Sequence, residues 1–144
     1  MLGLSVDEEG GTVNRISKYH RKEGIFPSPQ KIYNESGIKG ILEIDAEKRN
    51  LLRKFKVNIN FAPVADISYN SSDFIFSRTL GKSPEETAEY IKKDVESYEK
   101  DNFTSCIKHF PGYGNNVDTH KDIAIDNRTY EIFKKKILKH LKLE

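Results

Sequence analysis

The spacing of apolar residues along this chain predicts a short series of strands and helices. The run from Leu2 to Val6 and the segment VNINF at residues 57–61, where every second residue is apolar, each predict a strand. The segment TSCIKHF, from Thr104 to Phe110, predicts a third strand, which ends at Pro111 and Gly112. We therefore expect three strands.

Three helices are predicted between and after these strands. Apolar residues at helical spacing predict the first helix from Ile38 to Phe55. The second begins at the segment SPEE, in which Ser83 is the predicted N-cap and Glu86 completes a capping box. The third begins at Tyr130 and carries many lysines, for which a solvated amphipathic face is favoured over a membrane or nucleic-acid surface. The apolar stripe predicted for the second helix consists of Ala88, Ile91, Val95 and Tyr98.

This alternation of strands and helices is typical of a parallel sheet with helical crossovers. Polar residues follow the predicted strand ends: Asp7, Asp66 and the pair Lys108 and His109. In α/β barrels and open α/β sheets, the carboxyl ends of the strands form the edge where ligands bind. We therefore expect these side chains to converge on one rim.

Composition narrows the class of protein. A chain of 144 residues with 36% hydrophobic residues suits one domain with a modest core. The formal net charge of +2 gives no reason to expect nucleic acid or an anionic membrane as a partner. No apolar stretch approaches the roughly 20 residues that span a bilayer, and the first residues do not form an export signal. Cys106 is the single cysteine, so no internal disulfide is expected, and we predict that it is a small buried residue rather than a nucleophile.

The loop KHFPGYGNNVDTH at residues 108–120 has several interpretations. Asp118 can orient His120 and make it a general acid or base, but a solvated turn has the same pattern. A metal set of His109, Asp118 and His120 lacks the usual ligand spacing, so no metal is predicted. Lys108 and His109 share a site only if the backbone turns at the strand tip, because neighbouring side chains on a strand point to opposite faces.

Four segments of the chain together resemble a known family. In order and spacing they are similar to the N-terminal barrel domain of glycoside hydrolase family 3, and within it to the β-N-acetylhexosaminidase subgroup. The segments are VDEEGGTVNRI at residues 6–16, NFAPVADI at 60–67, FSRTLGKSPEE at 76–86 and KHFPGYGNNVDTH at 108–120.

This resemblance implies an α/β fold, a partial TIM-type (β/α)8 barrel with about three parallel strands and their crossover helices. Residues 1–144 would be a fragment of that barrel domain, since a complete barrel has about 250 residues. The resemblance implies that His120 transfers the proton as general acid/base on a mobile loop and that Asp118 tunes it. It also implies that sugar hydroxyls are bound by Asp7, Arg15, Arg78, Lys108 and His109.

The implied function is that of a retaining β-N-acetylglucosaminidase that releases terminal N-acetylglucosamine from cell-wall peptidoglycan fragments without a cofactor. The family's aspartate nucleophile lies on a later strand, and residues 121–144 contain no segment that matches it, so the isolated chain is expected to be inactive. A bacterial protein of this kind could act in the cytoplasm or at the cell wall. The alternatives are a β-glucosidase activity, or a non-catalytic module that binds sugar or self-associates through exposed sheet edges.

Overall fold

The computed structural model describes residues 3–110, 112–121, 123 and 125–132 of the chain. Strand β1 is Ser5–Val6, β2 is Ile59–Asn60 and β3 is Thr104–Ser105. These parallel strands form one sheet in the order β1-β2-β3, with Ser5 opposite Ile59 and Ile59 opposite Thr104. The three predicted strands are therefore present and parallel.

Each strand is shorter than the sequence pattern predicts. Beyond β2, the residue at position 63 is proline, which has no N–H group to continue a ladder of hydrogen bonds. The N–H of Cys106 donates to the carbonyl oxygens of both Asn60 and Ala62, at 3.0 and 3.1 Å. Pairing resumes farther on as a single parallel bridge between Val64 and Lys108. The end of the β3 segment is thus tied to the loop that follows β2.

Two long helices connect the strands. Helix α2, Pro29–Lys54, joins β1 to β2, and helix α3, Pro84–Lys100, joins β2 to β3. Helix α2 begins nine residues before the predicted start at Ile38, with Ser28 as its N-cap. Gly37 interrupts it with φ of 63° and ψ of −162°, so the regular apolar spacing begins only after this residue. A short helix α1, Ser17–His20, and a 3₁₀ turn, Phe76–Arg78, were not predicted.

Helices α2 and α3 pack on each other and on the sheet. One apolar cluster joins Ile32 and Ile41 of α2 to Tyr90 and Ile91 of α3, together with Leu80. A second cluster lies nearer the strands and consists of Leu52, Val57, Tyr98 and Phe103. The predicted stripe on α3 is confirmed at Ile91 and Tyr98, which are buried, and at Val95, which is half-buried and packs against the first cluster; Ala88 is half-buried. The buried face of α3 also contains an acidic residue, Asp94.

Little of the predicted third helix falls within the described residues. Residues 130–132 are helical, and the rest of that lysine-rich segment lies outside the described part of the chain. The proline that was predicted to end the third strand, Pro111, also lies outside it. Among the described helices, none combines the length and the apolar character that crossing a bilayer requires.

The capping box at the start of α3 gives a prediction for stability. Glu86 N donates to Ser83 Oγ and Ser83 N donates to the Glu86 carboxylate, both at 3.2 Å. We expect Ser83→Ala to lower the free energy of unfolding by about 1 kcal/mol, because two N–H groups at the helix start lose this reciprocal arrangement. Urea denaturation measures the loss. Ser83→Thr, which keeps a capping hydroxyl, serves as the control, and an unchanged midpoint in Ser83→Ala would contradict the prediction.

Candidate functional site

The strand ends meet at one edge of the sheet, and an open cleft of about 580 Å³ lies there. Asp7 and Glu9, which follow β1, line this cleft together with Lys108 and His109, which follow the β3 segment. This is the edge where ligands bind in α/β folds. The predicted site residues that line the cleft are Asp7, Arg15, Arg78, Lys108, His109 and His120.

A buried carboxylate, Glu9, holds two cations of the cleft. Its side chain is only 2% exposed and accepts two hydrogen bonds from Arg78, at 2.9 Å from Nε and 2.7 Å from Nη2. Glu9 also pairs with Lys108, whose Nζ lies 2.5 Å from Oδ1 of Asp7. Sequence reasoning did not assign Glu9 to the site. Its separation of two residues from Asp7 was the available signal, since such side chains share a face on an extended segment.

Arg78 remains charged in this arrangement. Burial alone would lower the pKa of Arg78, but the hydrogen bonds and negative charge of Glu9 hold that pKa above its ordinary value. Its guanidinium therefore stays protonated, and acts only as a donor, near neutral pH. Because a guanidinium only donates, its Nη2 fixes the role of the His109 Nε2 atom 3.0 Å away, which must accept.

A second buried carboxylate, Asp66, fixes the other side of His109. The Nδ1 atom of His109 lies 2.7 Å from Oδ2 of Asp66, which also accepts a hydrogen bond from the main-chain N–H of His109 at 2.9 Å. Since Nε2 accepts a hydrogen bond from Arg78, Nδ1 carries the ring hydrogen, and this N–H donates a hydrogen bond to Asp66. The other oxygen of Asp66 accepts from the N–H of Tyr113 at 2.6 Å. Asp66 thus anchors both the imidazole and the start of the following loop.

The position of Arg15 depends on a third buried carboxylate. Asp7 and Glu9 line the cleft, whereas Glu8 between them is fully buried and does not. Its carboxylate accepts hydrogen bonds from the N–H groups of Arg15 at 2.8 Å and Ile16 at 2.7 Å. The N–H and the hydroxyl of Ser17 also donate to it. Glu8 therefore shapes the turn that carries Arg15 to the rim. Sequence reasoning assigned no role to Glu8.

The dyad of Asp118 and His120 forms a compact turn on an exposed loop. Oδ1 of Asp118 lies 2.8 Å from His120 Nδ1 and accepts a hydrogen bond from the main-chain N–H of His120 at 3.0 Å. Both hydrogen bonds lower the pKa of Asp118, and the one from the main chain has the larger effect. Asp118 is therefore ionised near neutral pH. Asp118 itself does not line the cleft, whereas His120 does, with a side chain that is 80% exposed. The structure thus brings the dyad to the same rim as the charged residues.

Cys106 differs from its prediction. The residue is exposed and lines the cleft, so its predicted burial is wrong. Side chains alternate along a strand segment, and here the half-buried Ile107 packs against the apolar core. Cys106 therefore faces the opposite way.

The geometry also bears on the metal interpretation of the loop. Within the described ranges, no group of three or more His, Cys, Asp or Glu residues is arranged to hold a metal ion. Both ring nitrogens of His109 are engaged, one by Arg78 and one by Asp66. His109, Asp118 and His120 thus do not form a ligand set in this part of the chain.

Comparison with known proteins identifies relatives of the whole segment. The sequence profile described as the glycosyl hydrolase family 3 N terminal domain matches residues 1–142. A beta-hexosaminidase of Hydrogenovibrio crunogenus is 31% identical over 152 aligned positions, which cover 99% of this chain and 41% of the relative. The beta-hexosaminidase LpqI of Mycobacterium tuberculosis is 28% identical and covers 78% of this chain, with 29% of its own length aligned. The chain therefore spans less than half the length of these curated relatives.

Solved structures agree with the fold. A family 3 glycosyl hydrolase of Mycobacterium smegmatis superposes with a TM-score of 0.86 at 25% identity, covering 99% of this chain and 44% of that protein. NagZ of Neisseria gonorrhoeae, solved in complex with N-trifluoroacetyl-D-glucosamine, superposes with a TM-score of 0.74 at 25% identity over 97% of this chain and 43% of NagZ. The predicted fold class, part of a TIM-type barrel, is confirmed.

Proposed function

Because this chain belongs to the glycosyl hydrolase family 3 N-terminal domain family, we propose that it supplies the sugar-binding and proton-transferring part of a β-N-acetylglucosaminidase. Its substrate would be a terminal N-acetylglucosaminide, as in peptidoglycan fragments. The observation that carries this proposal is that Arg78, Lys108, His109 and His120 line one cleft at the C-terminal edge of the sheet. Charged donors and a proton-exchanging imidazole on one rim suit the binding and cleavage of a polyhydroxylated ring.

The sugar-binding roles divide according to exposure. Glu9 is almost fully buried and already paired with two cations, so it organises the donors rather than binding substrate. Asp7 is 41% exposed and is therefore the carboxylate that accepts hydrogen bonds from sugar hydroxyls. Lys108, Arg78 and Arg15 donate to hydroxyl oxygens on the same rim.

His120 has the proposed role of general acid and then general base. Asp118 binds the Nδ1 side of the ring, which leaves Nε2 as the nitrogen that exchanges a proton with the substrate. In the first step of a retaining reaction, the imidazolium gives its proton to the leaving oxygen while a carboxylate attacks the anomeric carbon. In the second step, the neutral ring takes a proton from water as the glycosyl-enzyme intermediate is hydrolysed.

The attacking carboxylate in this proposal comes from outside residues 1–144. We expect no turnover of a chromogenic N-acetylglucosaminide by the 144-residue chain alone. We expect turnover by a chimaera in which residues 1–120 are joined to the later part of the Hydrogenovibrio crunogenus relative. A chromogenic glucoside, which lacks the acetamido group, tests the competing β-glucosidase specificity. Turnover by the isolated chain would contradict the proposal for the nucleophile, and faster cleavage of the glucoside would contradict the proposed substrate.

A further inference from the structure

A carboxyl group without a partner lies in the interface between α2 and α3. The side chain of Asp94 is fully buried, and among the described residues neither of its carboxyl oxygens has a hydrogen-bond partner. An ionised carboxylate in that position would lose its hydration and gain no hydrogen bond in return. Asp94 therefore needs a proton, or a donor close by.

The two nearby cations already have other carboxylates. Lys48 pairs with Asp45 on the same helix and donates to the main-chain oxygen of Glu9 at 3.1 Å. Arg49 binds Asp101 at 2.7 Å and also donates to a serine hydroxyl on α3. Asp101 lies at the edge of this interface with a side chain that is 40% exposed, whereas Asp45 and Asp94 are buried inside it. Both cations are therefore bound to carboxylates other than that of Asp94.

Asp45 is the neighbour that can share this proton, because it lies within hydrogen-bonding reach of Asp94. Two carboxylates without protons can only accept, so the contact becomes a hydrogen bond only if one of them is protonated. Burial first, and then the negative charge of Asp45, raise the pKa of Asp94 well above its usual range; Lys48 and Arg49 oppose this less strongly.

The remaining titratable groups around Asp94 are tyrosines of its own helix and one acid of the cleft. Burial raises the pKa of Tyr90 and of Tyr98 well above the usual value, so both stay neutral. Glu9 acts on Tyr90 from the loop after β1. None of these groups supplies a positive charge that would keep Asp94 ionised.

We propose that Asp94 is a neutral carboxylic acid in the folded protein at neutral pH, that its O–H donates a hydrogen bond to the Asp45 carboxylate, and that this pair positions Lys48 against the main-chain carbonyl of Glu9. Lys48 fixes the Glu9 carbonyl, and the Glu9 side chain holds Arg78 and Lys108 at the cleft. The carboxyl pair thus helps to position the cations of the cleft, acting through Lys48 and Glu9.

Asp94→Asn tests the proton directly, because the amide donates a similar hydrogen bond and has no proton to lose. A group whose pKa is raised on folding contributes stability at low pH and loses it as the pH rises through the folded-state pKa. As the pH is raised from about 5 to about 8, the wild type loses this contribution and Asp94→Asn does not. We therefore expect the urea midpoint of Asp94→Asn, measured relative to that of the wild type, to increase with pH over this range. Asp101→Asn is the matched control. This substitution removes the carboxylate that pairs with Arg49, so the urea midpoint of Asp101→Asn should lie below that of the wild type at neutral pH.

The competing arrangement is an ionised Asp94 bridged by water to Nη1 of Arg49, which is also buried without a partner among the described residues. In that case Asp94→Asn would destabilise the protein as Asp101→Asn does, by a deficit that stays constant between about pH 5 and about pH 8, because an ionised carboxylate completes its titration below this range. NMR of wild-type protein labelled with ¹³C at the aspartate carboxyl carbons tests the same point even if the variant does not fold. We expect one aspartate to keep the chemical shift of a protonated carboxyl at pH 7. Shifts of ionised carboxylates for all aspartates would overturn the proposal.

Discussion

Glu9→Gln is expected to lower the free energy of unfolding by about 3 kcal/mol, since it removes the charge that neutralises two nearly buried cations. Arg78 and Lys108 are only 11% and 13% exposed, so neither regains full hydration when Glu9 is neutral. Asp7 would remain as a carboxylate for Lys108, which limits the loss. Urea denaturation of the 144-residue chain measures the effect.

Glu89→Gln is the matched control for this prediction. Glu89 pairs with Lys93 at 2.6 Å on the surface of α3, where both side chains are about half exposed. Solvent screens such a pair, so its removal should change stability by less than about 1 kcal/mol. Adding Lys108→Met to Glu9→Gln should recover part of the loss, because one unpaired cation is then absent. Equal losses of unfolding free energy in Glu9→Gln and Glu89→Gln would show that Glu9 does not stabilise the two nearly buried cations.

His120→Ala in the active chimaera is expected to reduce kcat/KM by roughly 10²- to 10⁴-fold for a substrate with a poor leaving group. The loss should be much smaller for a nitrophenyl glycoside, because that leaving group departs with little need for a proton. This difference separates proton transfer from a structural role, which would affect both substrates alike. Steady-state kinetics with a disaccharide and a nitrophenyl substrate provide the comparison.

Two further variants complete this experiment. Asp118→Asn keeps the shape of the turn but removes the negative charge beside Nδ1, so we expect a loss smaller than that of His120→Ala. His20→Ala removes another exposed histidine, one that packs against Phe55 away from the cleft, and should leave the kinetics unchanged. Equal loss of kcat/KM with both leaving groups in His120→Ala would contradict the acid/base role.

The candidate site was predictable where a motif marks it. The loop sequence from Lys108 to His120 and the acid after the first strand indicated residues that do line one cleft. Asp66 was expected at this rim because it follows the second strand, but its burial was not predicted, and Glu8 and Glu9 were not assigned to the site, because an isolated Glu or Asp in a sequence is normally solvated. Glu8, Glu9 and Asp66 are instead buried and bind main-chain or cationic groups of the site.

Local sequence patterns were enough to predict the order of strands and helices, the N-cap of α3 at Ser83, and the edge of the sheet where polar residues collect. These features follow from local signals, namely the period of apolar residues, capping and proline. The pairing of charges could be read only from the folded chain, as for Glu9 with Arg78 across 69 positions and for Asp94 with its neighbours on α2. The physical reason is that the energy of a charge depends on its burial and its nearest opposite charge, and packing between distant segments sets both.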